Sequence, residues 1–184
     1  MIYPVVVYGS PVLRKKAEDI NKNYENLPAV ISNMWETLHH ADGVGLAAPQ
    51  IGLSIRLFIV DGSVWADDYP ELKDFKKTFI NANIVEANGE TIAQNEGCLS
   101  LPTIREEVTR PKRIRITYFD EAFQYHDEVF DDQRARIIQH EYDHIEGKMF
   151  VDYLSPLRKR LIKGKLNSVS KGKVNVDYRI KGAF

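Results

Sequence analysis

His140-Glu141-Tyr142-Asp143-His144 places two histidines four residues apart, with a glutamate beside the first. On a helix, residues i and i+4 stand one above the other on the same face, so two imidazoles there close on one metal ion. Glu141, offset by one position, reaches a water activated by that ion without being a ligand, which suits it to moving a proton. The plainer alternative is two unrelated histidines on a solvated helix face. The flanking signals favour the metal: Asp131-Asp132 reads as a helix cap and Gly147 as a helix end. A hydrolytic metal site needs a third protein ligand and an open position. Glu146 and Asp152 are the downstream candidates. Upstream is Cys98, in Glu96-Gly97-Cys98-Leu99-Ser100. A lone cysteine is ordinarily a small buried apolar residue. With a two-histidine site in the same small chain, and Gly97 admitting close backbone approach in a strand-end loop, Cys98 is the favoured third ligand. Its thiolate would leave an ion less Lewis-acidic than three neutral imidazoles do, so hydrogen bonds and the base must supply more of the rate.

The elements that must hold these residues follow from the rest of the chain. Its 184 residues fit one domain, residues 1–184, with a core over about 1–157 and a C-terminal helix and tail at 158–184. Residues 28–41 carry Val30, Ile31, Met34, Trp35 and Leu38 at helical spacing, with Pro28 in the first turn and Gly43 beyond the end. His39 and His40 would close this helix, where positive charge suits the dipole. Ser10-Pro11 reads as the start of a short helix. Residues 55–60, 79–87, 104–109, 113–119 and 123–130 read as strands, with Asn88-Gly89 as a hairpin turn and Pro111 separating two of them. Residues 61–77 form a polar surface excursion. Residues 157–166 read as a short basic helix, and Val174, Val176 and Tyr178 alternate as a final strand would. Antiparallel strands preceding one key helix imply an α+β fold, with antiparallel strands around a central metal-binding helix.

The bulk composition excludes several classes. A net charge of -1 provides no basic field, so no specific nucleic-acid partner is expected. One cysteine excludes an intrachain disulfide and points to a reducing compartment. No segment approaches the ~20 apolar residues of a membrane span. The N-terminal run lacks the marks of a signal or transit peptide. A cytoplasmic monomer is the expectation. Gly43-x-Gly45-x-x-Ala48 fits a loose dinucleotide-binding pattern, but it follows a helix and precedes a strand, the reverse of what that fingerprint needs.

Three separated segments resemble the signature of the peptide deformylase family. Gly43-Val44-Gly45-Leu46-Ala47-Ala48-Pro49-Gln50 is similar to G-x-G-x-A-A-x-Q. Glu96-Gly97-Cys98-Leu99-Ser100 matches E-G-C-x-S, and Gln139-His140-Glu141-Tyr142-Asp143-His144 matches Q-H-E-x-D-H. They occur in the family's order, and the similarity spans roughly residues 5–157.

The resemblance implies a hydrolase that removes the formyl group from the N-terminal formyl-methionine of new polypeptides. Cys98, His140 and His144 would hold the metal, ferrous iron physiologically, with zinc, nickel or cobalt substituting. Glu141 would take the proton of the activated water and deliver it to the leaving amine. The Gln50 side chain and the Leu99 backbone N–H would stabilise the oxyanion. Gly45 would pair with an extended substrate, Val44 and Ile137 would wall the methionine pocket, and Arg105 would face the substrate. Asp143 would support a histidine ligand, and Glu96 would pair with Arg110 under the ligand loop. Arg134 and Arg136 depart from the apolar residues often found before the first histidine; the stem of Arg136 would line the pocket while its head reaches water. Ribosome proximity follows from the substrate, and the basic run Arg158-Lys159-Arg160 with Lys163 and Lys165 would touch ribosomal RNA or simply be solvated. The competing readings are a metallopeptidase with Glu146 or a later residue as third ligand, and a closed structural metal site in a binding module.

Overall fold

The computed structural model describes residues 1–183. A five-stranded antiparallel sheet of order β2-β3-β4-β5-β6 forms its centre, from β2 (Gly45–Ala47), β3 (Leu57–Asp61), β4 (Lys76–Gly97), β5 (Arg105–Phe119) and β6 (Tyr125–Asp131). A separate parallel pair joins β1 (Val5–Val6) to β7 (Ile180–Lys181). Among the described residues three α-helices complete the fold: α1 (Leu27–His40), α2 (Asp132–Ile145) and α3 (Pro156–Ser170). The architecture is the expected α+β type.

β3 shows why the sheet lies between two helices. All five of its residues are buried, so it faces no solvent on either side. Leu57 and Ile59 pack in the cluster with Val30, Ile31, Met34 and Leu38 of α1. Phe58 and Val60 pack in the cluster with Ala135, Ile138 and Ile145 of α2. Alternate side chains of a strand point to opposite faces, so one apolar run serves both helices. Each such side chain contributes roughly 1.5–3 kcal/mol by leaving water. A third cluster joins Ile162, Leu166 and Val169 of α3 to Val6, Val7, Leu101, Ile104 and Phe150. That cluster supports the loop after β4 from below.

Several local expectations require correction. Asn88-Gly89 does not turn a hairpin, because β4 runs through it. Gly89, at φ +82°, sits in a register shift between the pairs Asn88–Arg113 and Thr91–Pro111. Its left-handed backbone serves a bulge. Pro111 does not separate two strands either. β6 begins its pairing only at Arg113, so the missing N–H of Pro111 faces no partner strand. The side chain of Asp131 makes no cap bond and pairs instead with Arg134. Ser10 likewise makes no side-chain cap, and Pro11–Arg14 is a 3-10 turn. Residues 174–178 form no strand; β7 lies two residues further on. The 61–77 excursion holds two 3-10 turns, Ser63–Trp65 and Pro70–Leu72.

Candidate metal centre

β4 ends at Gly97, paired with Arg105, and the chain leaves the sheet at Cys98. α2 crosses behind it and presents His140 and His144 one turn apart, with ring centroids 5.3 Å apart and nearly perpendicular. The donor atoms of Cys98, His140 and His144 all lie within 4.8 Å of one another. Cys98 Sγ is 3.3 Å from His144 Nε2. A soft thiolate with two imidazoles suits iron or zinc. His144 Nδ1 is buried with no hydrogen-bond partner, while its Nε2 faces the sulfur. This is the only such donor cluster among the described residues. Neither Glu146 nor Asp152 is part of it. Glu146 is bound to Arg56 at 2.6 Å and Lys16 at 3.2 Å, and Asp152 to Arg14 at 2.6 Å.

Beneath the cluster lies a buried charge network. Glu96 accepts from Arg110 Nε at 2.6 Å and Nη2 at 2.9 Å, from Arg136 Nη1 at 2.8 Å and from His140 Nδ1 at 2.8 Å. Burial pushes the Glu96 carboxyl upward, but His140 and Arg110 together hold it well below the usual range. An ionised Glu96 fixes His140 as the tautomer with Nδ1 protonated, which turns Nε2 toward the cluster. Asp143 does not support a histidine directly. It accepts from Arg110 Nη1 at 2.8 Å and from Tyr153 Oη at 2.9 Å, and so reaches His140 only through Arg110 and Glu96. Burial lowers the His140 pKa, yet contact with Cys98 and Glu96 raises it overall; burial and the nearby His140 lower that of His144.

Glu141 lies against the edge strand β2 and lines the same cleft as His140. It is 3% exposed, its Oε2 has no hydrogen-bond partner, and burial pushes its carboxyl up to about 7. A cation at the cluster would favour its ionised form. Gly45 lies directly against it: a Cβ at that position would sit 2.6 Å from Glu141 Cδ. Only glycine lets the edge strand β2 approach the glutamate so closely. Gln50 is buried in the 3-10 turn Ala48–Ile51. Its Oε1 accepts from Ala47 N at 2.8 Å, which directs its Nε2 to Ser100 Oγ at 3.2 Å and Cys98 Sγ at 3.5 Å.

These groups open on a cleft of about 830 Å³. Val44, Gly45, Gln50, Leu99, Arg105, Ile137 and Glu141 all line it. Arg136 lines it too, but its head does not reach water. The guanidinium is buried, donating to Glu96 and, through Nη1, to Val108 O at 2.9 Å. The carboxylate and strand carbonyls give it better partners than solvent would. The basic residues 158–165 fall outside the cleft lining. Two contributions are absent from the sequence reading. Trp65 and Tyr69 bring the 61–77 excursion to the cleft mouth, and Val176 and Tyr178 bring the tail there. Tyr178 Oη donates to Leu99 O at 2.8 Å. The alternation of Val174, Val176 and Tyr178 was the available signal, though it says nothing of where that edge lies.

A buried carboxylate beside a thiol and two imidazoles, on a cleft of that volume, is suited to adding water to a carbonyl. The class is that of the metal-dependent hydrolases. The sequence profile of the polypeptide deformylase family matches residues 2–160. The peptide deformylase of Christiangramia forsetii is 52% identical over 98% of this chain and 96% of its own. That of Flavobacterium johnsoniae is 51% identical over 100% and 97%. Among solved structures, peptide deformylase from Thermus thermophilus aligns with a TM-score of 0.81 at 36% identity, covering 92% of this chain and 98% of that one. The Thermotoga maritima enzyme aligns at 0.76 and 41%, covering 85% and 99%. The chain belongs to the peptide deformylase family, metal-dependent hydrolases that remove the N-formyl group from nascent peptides.

Proposed function

We propose that this chain deformylates N-formyl-methionyl peptides at the cluster of Cys98, His140 and His144, with Glu141 as the proton carrier. The observation that carries the reading is the pairing of that cluster with a buried carboxylate whose Oε2 is unpartnered and borders the cleft. The three side chains would hold ferrous iron, with zinc, nickel or cobalt in its place in some preparations. When bound, the ion supplies Lewis acidity, lowering the pKa of a water toward neutrality and polarising the formyl oxygen.

The residues do the rest. Glu141 takes a proton from the attacking water and returns it to the amine nitrogen as the C–N bond breaks, so water is consumed and formate and a free amine leave. Gln50 Nε2 and the Leu99 N–H donate to the oxygen as its charge grows. Among the described residues the Leu99 N–H has no acceptor, which leaves it free for that purpose. β2 is a sheet edge, so Gly45 offers backbone groups to an extended substrate. Val44 and Ile137 wall the pocket for the methionine side chain, and exposed Arg105 faces the peptide beyond it. All three apolar clusters pack around one sheet and its supports, which favours a single domain over 1–184. In it the tail beyond 157 completes the cleft. No helix of the described residues is long and apolar enough to cross a membrane. A cytoplasmic monomer working near the ribosome fits the substrate.

The engagement of Glu146 and Asp152 by arginines weighs against the metallopeptidase reading. The deciding assay compares a formyl-Met peptide, its unformylated twin and an internal peptide bond. Release of formate alone, lost in Cys98→Ala, is the expected result. Internal cleavage, or deformylation that survives Cys98→Ala, overturns the proposal.

A further inference from the structure

The loop from Cys98 to Leu101 is pinned at every carbonyl that could swing it. Cys98 O accepts from Leu101 N at 2.9 Å, and Ser100 O from Tyr8 N at 2.9 Å. Between them, Leu99 O accepts from the hydroxyl of Tyr178 at 2.8 Å, 79 residues away in sequence. The tyrosine is itself anchored through its neighbour. Val5 N donates to Arg179 O at 2.8 Å and Val7 N to Lys181 O at 3.1 Å. The N-terminal strand segment therefore grips the tail and the loop together, Val5 and Val7 holding one and Tyr8 the other. Tyr178 and Val176 also line the cleft, although the family profile ends at residue 160.

The geometry points to Tyr178 as a positioning residue for the reaction: its hydroxyl orients the Leu99 segment so that the free Leu99 N–H faces the developing oxyanion. This rests on the proposed role of that N–H. Among the described residues the hydroxyl bonds to the Leu99 carbonyl, and to neither the ligand atoms nor the general base; it acts through the peptide chain. The Leu99 N–H shares its peptide plane with Cys98 O, and the Tyr178 bond holds the next plane, so the hydroxyl acts on the N–H by fixing the two torsions at Leu99 between them; a donor displaced by a fraction of an ångström loses much of its effect in the transition state. The aromatic ring has a second function as cleft wall, separable from the hydroxyl because phenylalanine keeps it.

The test uses the zinc-loaded full-length enzyme and Tyr178→Phe. Expected are a kcat lower by about tenfold, less than the roughly 10²-fold that a 1 Å misplacement costs, and a KM unchanged within about twofold because the ring remains. The NMR order parameter of the Leu99 amide, read without substrate, is expected to fall while that of Leu101 stays. A structural role alone would lower the melting temperature without this selective pattern. An unchanged Leu99 order parameter overturns the proposal and leaves the oxyanion reading standing. A lowered order parameter with unchanged kcat overturns it as well, and then the fault lies with the Leu99 N–H as oxyanion donor. A KM rise without a kcat loss also overturns it, leaving Tyr178 as cleft wall only.

Discussion

Beneath the cleft, Glu96 takes four hydrogen bonds from Arg110, Arg136 and His140, all buried or nearly so. Around its mouth, Trp65 is 38% exposed and Tyr69 36%, and Tyr178 contributes one hydrogen bond. The floor is a set of charges that cannot be separated without large loss, because any one left alone in the interior carries its full desolvation cost. The rim is a set of single contacts from distant segments; apart from Tyr178, whose hydroxyl holds Leu99 O, each can change with little effect on its neighbours. In this chain the floor holds His140 in place from within the core, while the rim only borders the cleft.

The sharpest way to test that contrast is Glu141→Gln. It keeps shape and removes the carboxylate proposed to carry the proton, so kcat is expected to fall by about 10²–10⁴-fold with ion content unchanged. Steady-state kinetics with metal analysis reads both. Arg110→Met strikes the floor away from the reacting atoms. It leaves Glu96 and Asp143 without their shared cation, and a loss of about 3–5 kcal/mol is expected in urea unfolding. Ion affinity is expected to weaken by roughly 10–100-fold through His140. Should Arg110→Met cost as little as a rim change, the contrast collapses.

Glu146→Gln serves as a comparison at the far end of α2. Burial raises the Glu146 carboxyl, but bonds from Arg56 and Lys16 lower it overall. A folded-state pKa below the unfolded value means the stabilisation is present above the ordinary carboxylate range and is lost as pH falls through the folded value. The variant is therefore expected to be less stable than the parent by about 1 kcal/mol at neutral pH, and the gap is expected to close in acid. Trp65→Ala should have the smallest effect: KM up by roughly threefold and stability within about 0.5 kcal/mol. A larger kcat loss there would place the rim in the chemistry.

The legibility of the sequence divides along the same line. His140 and His144 are read from a four-residue spacing because a helix converts that spacing into proximity whatever surrounds it. Cys98 followed only from the need for a third ligand beside two histidines, and the bond of Glu96 to His140 was not legible, since nothing local says that the end of β4 meets α2. Arg136 was read as reaching water because an arginine among apolar neighbours usually does; its partners Glu96 and Val108 lie 40 and 28 residues away. Asn88-Gly89 carried the right backbone tendency and the wrong consequence. A left-handed glycine makes a hairpin or a bulge according to the strand that faces it, here residues 111–113. The tail's place at the cleft depends on the pairing of β1 with β7, which no local pattern encodes.

That pairing has a consequence for how the molecule assembles. Tyr178 reaches Leu99 across 79 residues and His140 reaches Glu96 across 44, whereas the β4, β5 and β6 meander forms between neighbours in sequence. Closing long loops early is entropically costly, so the meander is favoured to organise first and the cleft mouth last. During refolding, strand content should then return ahead of turnover, and a chain interrupted before its final turns would carry a nearly finished scaffold around an incomplete doorway.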